Sequence, residues 1–175
     1  GMLPFQATIL PVAPVVAGGS LWSGQVGVPF NYQIMASNQP TGFGAMGLPP
    51  GLLVNTVSGS ITGTPTAPGV YAGTLFATNA GGTGSLAFQA NVLPAPPVVG
   101  GGSLLSGQVG VPFNYQITAS NQPTGFGASG LPPGLMLNTV SGSITGTPTT
   151  AGLYAGSLFA TNAGGTGSLA FNANV

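Results

Sequence analysis

No aspartate, glutamate, lysine, arginine, histidine or cysteine occurs in the 175 residues. General acid–base catalysis needs a side chain that exchanges a proton near the working pH, and these residues supply nearly all such groups. Only tyrosines and the chain termini titrate. Serine and threonine hydroxyls abound, but a hydroxyl nucleophile needs an adjacent base, and the chain carries none. Zinc and redox metals lose their imidazole, thiolate and carboxylate ligands. Calcium would meet only neutral oxygens, which bind it weakly without a carboxylate. Nucleic acid is excluded as a partner because no cation can neutralise a phosphate. Without cysteine there is no disulfide framework to report on the redox compartment. No Asn-x-Ser/Thr acceptor for N-glycosylation occurs. The expectation is therefore a protein that is not an enzyme and uses no cofactor or metal.

Long hydrophobic runs are missing as well. No stretch of about 18 apolar residues escapes glycine and proline, so no membrane insertion by a helix is expected. The N-terminus lacks a basic region of the signal-peptide kind, so a secreted protein would be present in mature form. What remains is 43% hydrophobic, with 32 glycines and 17 prolines. That is enough apolar material for packed cores, unlike the composition of disordered chains.

The organising feature is a repeat. Ser20-Leu21-Trp22-Ser23-Gly24-Gln25-Val26-Gly27-Val28-Pro29-Phe30 returns as Ser103-Leu104-Leu105-Ser106-Gly107-Gln108-Val109-Gly110-Val111-Pro112-Phe113. Residues 10–92 align with 93–175 with 13 differences in 83 positions. A period this long predicts two domains in tandem rather than a solenoid. Residues 1–9 fall outside both copies, yet Gly1-Met2-Leu3-Pro4-Phe5-Gln6-Ala7-Thr8-Ile9 aligns with Gly84-Ser85-Leu86-Ala87-Phe88-Gln89-Ala90-Asn91-Val92, the last strand of the first repeat. The chain thus opens on an orphan strand, followed by repeat 1 (10–92) and repeat 2 (93–175). The Pro-rich stretch around Leu93-Pro94-Ala95-Pro96-Pro97 reads as the linker. Gly100-Gly101-Gly102 lacks the lysine and the following helix of a phosphate loop and reads as flexible linker too.

Within a repeat, Phe30, Tyr32 and Ile34 alternate with Asn31 and Gln33, the period of a half-buried strand. Tyr71, Leu75 and Ala77 share one phase, as do Leu86, Phe88, Ala90 and Val92. Leu48-Pro49-Pro50-Gly51, Val57-Ser58-Gly59-Ser60 and Gly63-Thr64-Pro65 supply turns between them. Many short strands in about 80 residues predict a two-sheet sandwich. The runs Gly47-Leu48-Pro49-Pro50-Gly51-Leu52, Ser58-Gly59-Ser60-Ile61-Thr62-Gly63-Thr64-Pro65-Thr66, Gly69-Val70-Tyr71 and Ala77-Thr78-Asn79-Ala80-Gly81-Gly82 recur from Gly130 to Gly165. This pattern resembles the immunoglobulin-like, cadherin-like tandem domain family of bacterial surface and secreted proteins. The resemblance implies an all-β fold of two tandem sandwiches, an extracellular or cell-surface location, and roles as spacer, stalk or adhesive unit. Cadherin-type calcium sites rest on acidic residues at domain junctions, and this chain has none.

Three features are candidates for function. The orphan strand carries Leu3, Phe5, Ala7 and Ile9 on one face; burying each large apolar side chain is worth about 1.5–3 kcal/mol, so the strand is driven to find a sheet. Donated to another copy, it would assemble the chain head-to-tail with itself into a homopolymer; otherwise the chain is a piece of a longer array. Phe76 and Phe159 fall out of phase with the inward set, which makes each a contact between subunits or a core residue at a bulge. Trp22, replaced by Leu105 in the second copy, is open as an intersubunit contact, a carbohydrate platform, or a core or junction residue. The expected function is a structural subunit of an extracellular filament or surface assembly. The alternative is a stalk, adhesin or carbohydrate-binding module, although no residue pattern supports a glycan ligand.

Stability depends on pH only through groups that bind protons differently in folded and unfolded chains. With almost none, the melting midpoint is expected to stay constant between about pH 3 and pH 9, and to respond little to salt through charge screening. A calorimetric series across that range checks this; a steep slope would contradict it.

Overall fold

The computed structural model describes residues 8–175, and every regular element among them is a strand. No helix in them is long and apolar enough to cross a membrane. The chain forms two units, one ending at Leu93 and the other spanning Pro94–Val175. The expected boundary lay one residue earlier; the last strand of the first unit continues to Leu93, which pairs with Gln25.

Unit 1 contains β1 (Val16–Ala17), β2 (Leu21–Gln25), β3 (Phe30–Gln33), β4 (Met35–Ala36), β5 (Gly42–Met46), β6 (Leu52–Val54), β7 (Ser60–Gly63), β8 (Gly69–Asn79) and β9 (Gly82–Leu93). One sheet runs β2-β9-β8-β5, the other β3-β7-β6, and β1 pairs with β4. β2 lies parallel to β9, whereas β5 and β8, and β8 and β9, are antiparallel. Unit 2 repeats this plan with β10 (Val99–Gly100), β11 (Leu104–Ser106), β12 (Phe113–Gln116), β13 (Thr118–Ala119), β14 (Gly125–Ser129), β15 (Leu135–Leu137), β16 (Ser143–Gly146), β17 (Leu153–Asn162) and β18 (Gly165–Asn174). Its sheets run β11-β18-β17-β14 and β12-β16-β15, with β10 on β13.

The alternation read from the sequence decides which faces meet. In unit 1, Ile61 from one sheet packs with Leu75, Ala77 and Phe88 from the other, joined by Ile34, Leu52 and Ala90. Ile144, Leu158, Ala160 and Phe171 form the equivalent core of unit 2. Phe30 and Tyr32 are half-buried against the first core while Asn31 and Gln33 face solvent. At the start of β8, the Tyr71 hydroxyl donates to the Ala67 carbonyl at 3.1 Å, and Tyr154 repeats the contact with Thr150 at 3.0 Å. This tyrosine corner is a hallmark of immunoglobulin-type sandwiches.

Turn chemistry does the rest. Asn55 Oδ1 accepts from the Val57 and Ser58 amides at 3.0 and 2.9 Å, closing the β6–β7 turn. Gly63 ends β7 at φ 140°, where a Cβ would run into the Gly51 carbonyl. The close approach lets Gly63 stand opposite both Phe30 and Leu52.

The Pro-rich stretches are not free linkers. Asn162 Nδ2 donates to the Ala95 carbonyl at 2.8 Å and Asn121 Nδ2 to that of Pro96 at 2.8 Å, so this stretch is tied down from Ala95 onward. In unit 1, Asn79 and Asn38 hold the Val12 and Ala13 carbonyls in the same way. The missing side chain at Gly81 leaves room for the Pro11 carbonyl, and at Gly167 for that of Pro97. Proline composition suggested a linker because it disfavours regular structure; the carbonyls it leaves unpaired are instead taken by asparagine amides. Likewise Gly100 belongs to β10, paired with Thr118, rather than to a flexible tether.

Replacing Gly63 by alanine is expected to destabilise unit 1 by about 1–3 kcal/mol, the usual cost of a side chain forced into a disfavoured backbone region. Chemical denaturation followed by fluorescence of Trp22, the single tryptophan, reads that unit directly.

Candidate assembly site

Leu3, Phe5 and Ala7 lie outside the described residues. Ile9 is 94% exposed and belongs to no strand.

Trp22 sits elsewhere than between subunits. Alternation on β2 turns it inward, where it is buried and stacks on Phe88 with ring centroids 4.2 Å apart and planes within 8°. Tyr32 and Phe30 flank it at 4.5 and 5.9 Å. The indole N–H donates to the Gly19 carbonyl at 2.9 Å. As an intersubunit contact or carbohydrate platform Trp22 is therefore corrected to a core residue: neither ring face is open. Unit 2 fills the same place with Leu105, which cannot cover Phe171, Phe113 and Tyr115 as an indole would. A small space remains beside it, lined by Gly107, Phe113, Pro148 and Val175. The Tyr115 hydroxyl is buried without a hydrogen-bond partner, whereas Tyr32 donates to Gly19 at 3.2 Å.

Phe76 and Phe159 do point out of the sandwich. Their neighbours Leu75, Ala77, Leu158 and Ala160 are buried in the cores, while each phenylalanine is half-buried on the outer face. Phe76 stands opposite Gly44 and Phe159 opposite Gly127, with each ring lying against its glycine. Further along the same face, Leu21 is opposite Gln89 and Val70 opposite Asn91; in unit 2, Leu104 is opposite Asn172 and Leu153 opposite Asn174. These four apolar side chains are 76, 64, 79 and 84% exposed. Sequence reasoning did not single them out. The signal was available in their phase, opposite to the buried set of each strand, but needed the strand register to gather them on one face.

An open depression of unit 1 is lined by Pro11, Val12, Asn38, Gln39, Asn79 and Ala80. Asn79 already donates to the Val12 and Asn38 carbonyls and accepts from the Gly81 amide, so its polar groups serve the fold.

A parallel pairing of the second strand with the last, a tyrosine corner and two facing sheets, present twice, describe one kind of module. The family model described as "Putative Ig domain" matches residues 13–93 and again 96–175. The chain belongs to this family. Sidekick-1 immunoglobulin domains 1–4 are 18% identical, with a TM-score of 0.60 over 97% of this chain and 50% of that one. The I67–I69 fragment of the titin I-band is 14% identical, with a TM-score of 0.53 over 94% and 66%. Both likenesses concern the fold alone. A putative α-galactosidase from Bacteroides fragilis is 26% identical over 50% of this chain and 19% of its own length, with a TM-score of 0.44. The chain thus spans about a fifth of that protein and half of the Sidekick-1 fragment. Among curated proteins no relative matches the chain.

The two family modules differ where Trp22 and Leu105 stand, and so should their stabilities. Leu105→Trp, placed among counterparts of the residues that surround Trp22, is expected to stabilise unit 2 by about 1–2 kcal/mol through added apolar burial. In the parent chain, unfolding followed by circular dichroism should begin before the Trp22 fluorescence changes, because unit 2 gives way first. Coincident transitions, or no gain from Leu105→Trp, would contradict this.

Proposed function

We propose that this chain is a non-catalytic structural element of a surface or secreted assembly, and that residues 1–9 serve as a strand donated to another copy. Immunoglobulin-like modules of this family commonly occur in extracellular and surface proteins, which supports the coarser part of the reading.

The finer part rests on one observation: residues 1–9 align without a gap with the last strand of the first unit, identical at five of nine positions and keeping its alternating apolar pattern. Leu3, Phe5, Ala7 and Ile9 correspond to Leu86, Phe88, Ala90 and Val92 on β9, of which the last three are buried. Pro4 replaces Ala87. The Gln89 amide donates to Ser20 on the β2 side, so the amide of Ala87, two residues earlier, faces the same side before the pairing of β2 with β9 begins at Leu21 and Gln89. A proline there removes no ladder hydrogen bond.

Both last-strand places are already filled, by β9 and β18. Replacing either by a strand with the same alternating apolar pattern buries little more apolar surface than it exposes. Addition at an open edge does bury more. The edge of β5 is partly covered, because the Phe43 amide donates to Thr56 at 2.8 Å. β2 and β11 lie at the other edge of their sheets, with no charged residue to discourage pairing. We assign the incoming strand to one of these edges.

Negative-stain imaging and light scattering of the full chain, of a chain lacking residues 1–9 and of Phe5→Asp test the reading. Filaments or large oligomers are expected for the first and not for the other two. Filaments that survive both changes would rule out strand donation.

A further inference from the structure

We infer that the outer face of the four-stranded sheet in each unit is an interface with a second copy of the chain. This contact is separate from strand donation and does not depend on it.

The face is defined by register. On unit 2, Leu104 and Leu153 rise on either side of β18, beside Asn172 and Asn174, and a shallow groove lies between them. Unit 1 places Leu21 and Val70 beside Gln89 and Asn91 in the same way. Leucine walls and an amide floor make a self-complementary surface. An amide both donates and accepts, so the floor of one copy satisfies that of another. The leucines of one copy fill the groove of the next, as side chains interdigitate when sheets stack about 10 Å apart. Such a contact is isologous, the same patch serving on both sides.

The absence of charge selects this occupant over others. A charged partner would leave its ions unpaired against the face, which costs binding energy. A sugar would want an open aromatic platform, and the aromatics of this face, Phe76 and Phe159, are half-buried over glycine. Another copy brings an equally neutral surface and pairs at no electrostatic penalty.

Area decides how strong the contact is. Strand spacings of about 3.3 Å along and 4.8 Å across give each face roughly 500 Å². A standard stable interface takes about 800 Å² from each partner. One face falls short, so the contact made by a single face is weak and its association reversible.

The test is sedimentation velocity of the full chain carrying Phe5→Asp, which disables the proposed donor strand, over a wide range of concentration. Reversible self-association is expected to persist, and to weaken at least about tenfold when Leu104→Lys and Leu153→Lys are added. Val57→Lys with Val140→Lys, at turn positions 81% exposed in both units, should leave it unchanged. Leu104→Ser with Leu153→Ser should weaken it too, which guards against an effect of charge or misfolding in the lysine variant; circular dichroism confirms that both remain folded. The inference is overturned if the Phe5→Asp chain is monomeric throughout, or if either leucine pair associates like its parent. It is also overturned if association is unchanged while binding to an insoluble polysaccharide is lost, which would give the face to a glycan. Failure of strand donation alone would appear only in the comparison of parent with Phe5→Asp.

Discussion

Main-chain hydrogen bonding carries the polar half of this structure because nothing else can. With no ionisable side chain apart from tyrosine, no ion pair between side chains exists to fix a loop or orient a strand. A side chain that bonds within the fold can find only a neutral partner, and the main chain offers the most. Asn79, Asn162, Asn55, Gln33 and both corner tyrosines bond to main-chain groups. Each such bond contributes only about 1 kcal/mol net, but an orphaned buried carbonyl or amide costs more. The asparagines therefore act less as adhesive than as insurance against unpaired backbone where proline and glycine interrupt the ladders.

That division of labour explains how so much glycine and proline is tolerated. Glycine is normally unfavourable in strands because it adds chain entropy and packs nothing. Here its absent side chain is used. Gly63 meets Gly51, Gly81 meets the Pro11 carbonyl, and Gly73 meets the Met46 carbonyl. The two cores then need few large residues. Where one is changed, as from Trp22 to Leu105, the aromatic neighbours stay the same: Phe113, Tyr115 and Phe171 are identical to Phe30, Tyr32 and Phe88. The second unit keeps the fold with a looser centre, since topology follows from the alternation pattern and not from complete filling.

The same physics governs what the sequence made legible. Alternation on β8 and β9 exposes Leu75, Ala77 and Phe88 as core because a strand has only two faces. The repeat fixed the number of modules, and the Pro-Pro-Gly and Ser-Gly turns marked where strands end. Trp22 stayed ambiguous because a single large aromatic suits a core and a binding platform equally; only the stacked position of Phe88 separates the two. The Pro-rich stretch at Ala95 and Pro96 was misread because composition reports what a segment cannot form by itself. Its partners, Asn162 and Asn121, lie 67 and 25 residues away in sequence. The outward leucines needed register, which arises from pairings far apart in the chain.

An uncharged surface changes the logic of association. Soluble β-proteins usually protect sheet edges with lysine or inward charges and keep their faces apart by net charge. Such protection would cost this chain nothing in its cores, yet no charge appears at any of the 13 positions where the two repeats differ. Exposed positions on the sheet face vary only among neutral residues: Val70 against Leu153, Gln89 against Asn172, Met46 against Ser129. Neutral contacts are individually weak and indifferent to ionic strength, so strength must come from number. Repeating the module supplies that number, because each added copy brings another face of the same kind and raises the effective concentration of the next contact. On the proposed reading, tandem repetition and the absence of charge work toward the same outcome, a chain whose surfaces are suited to one another.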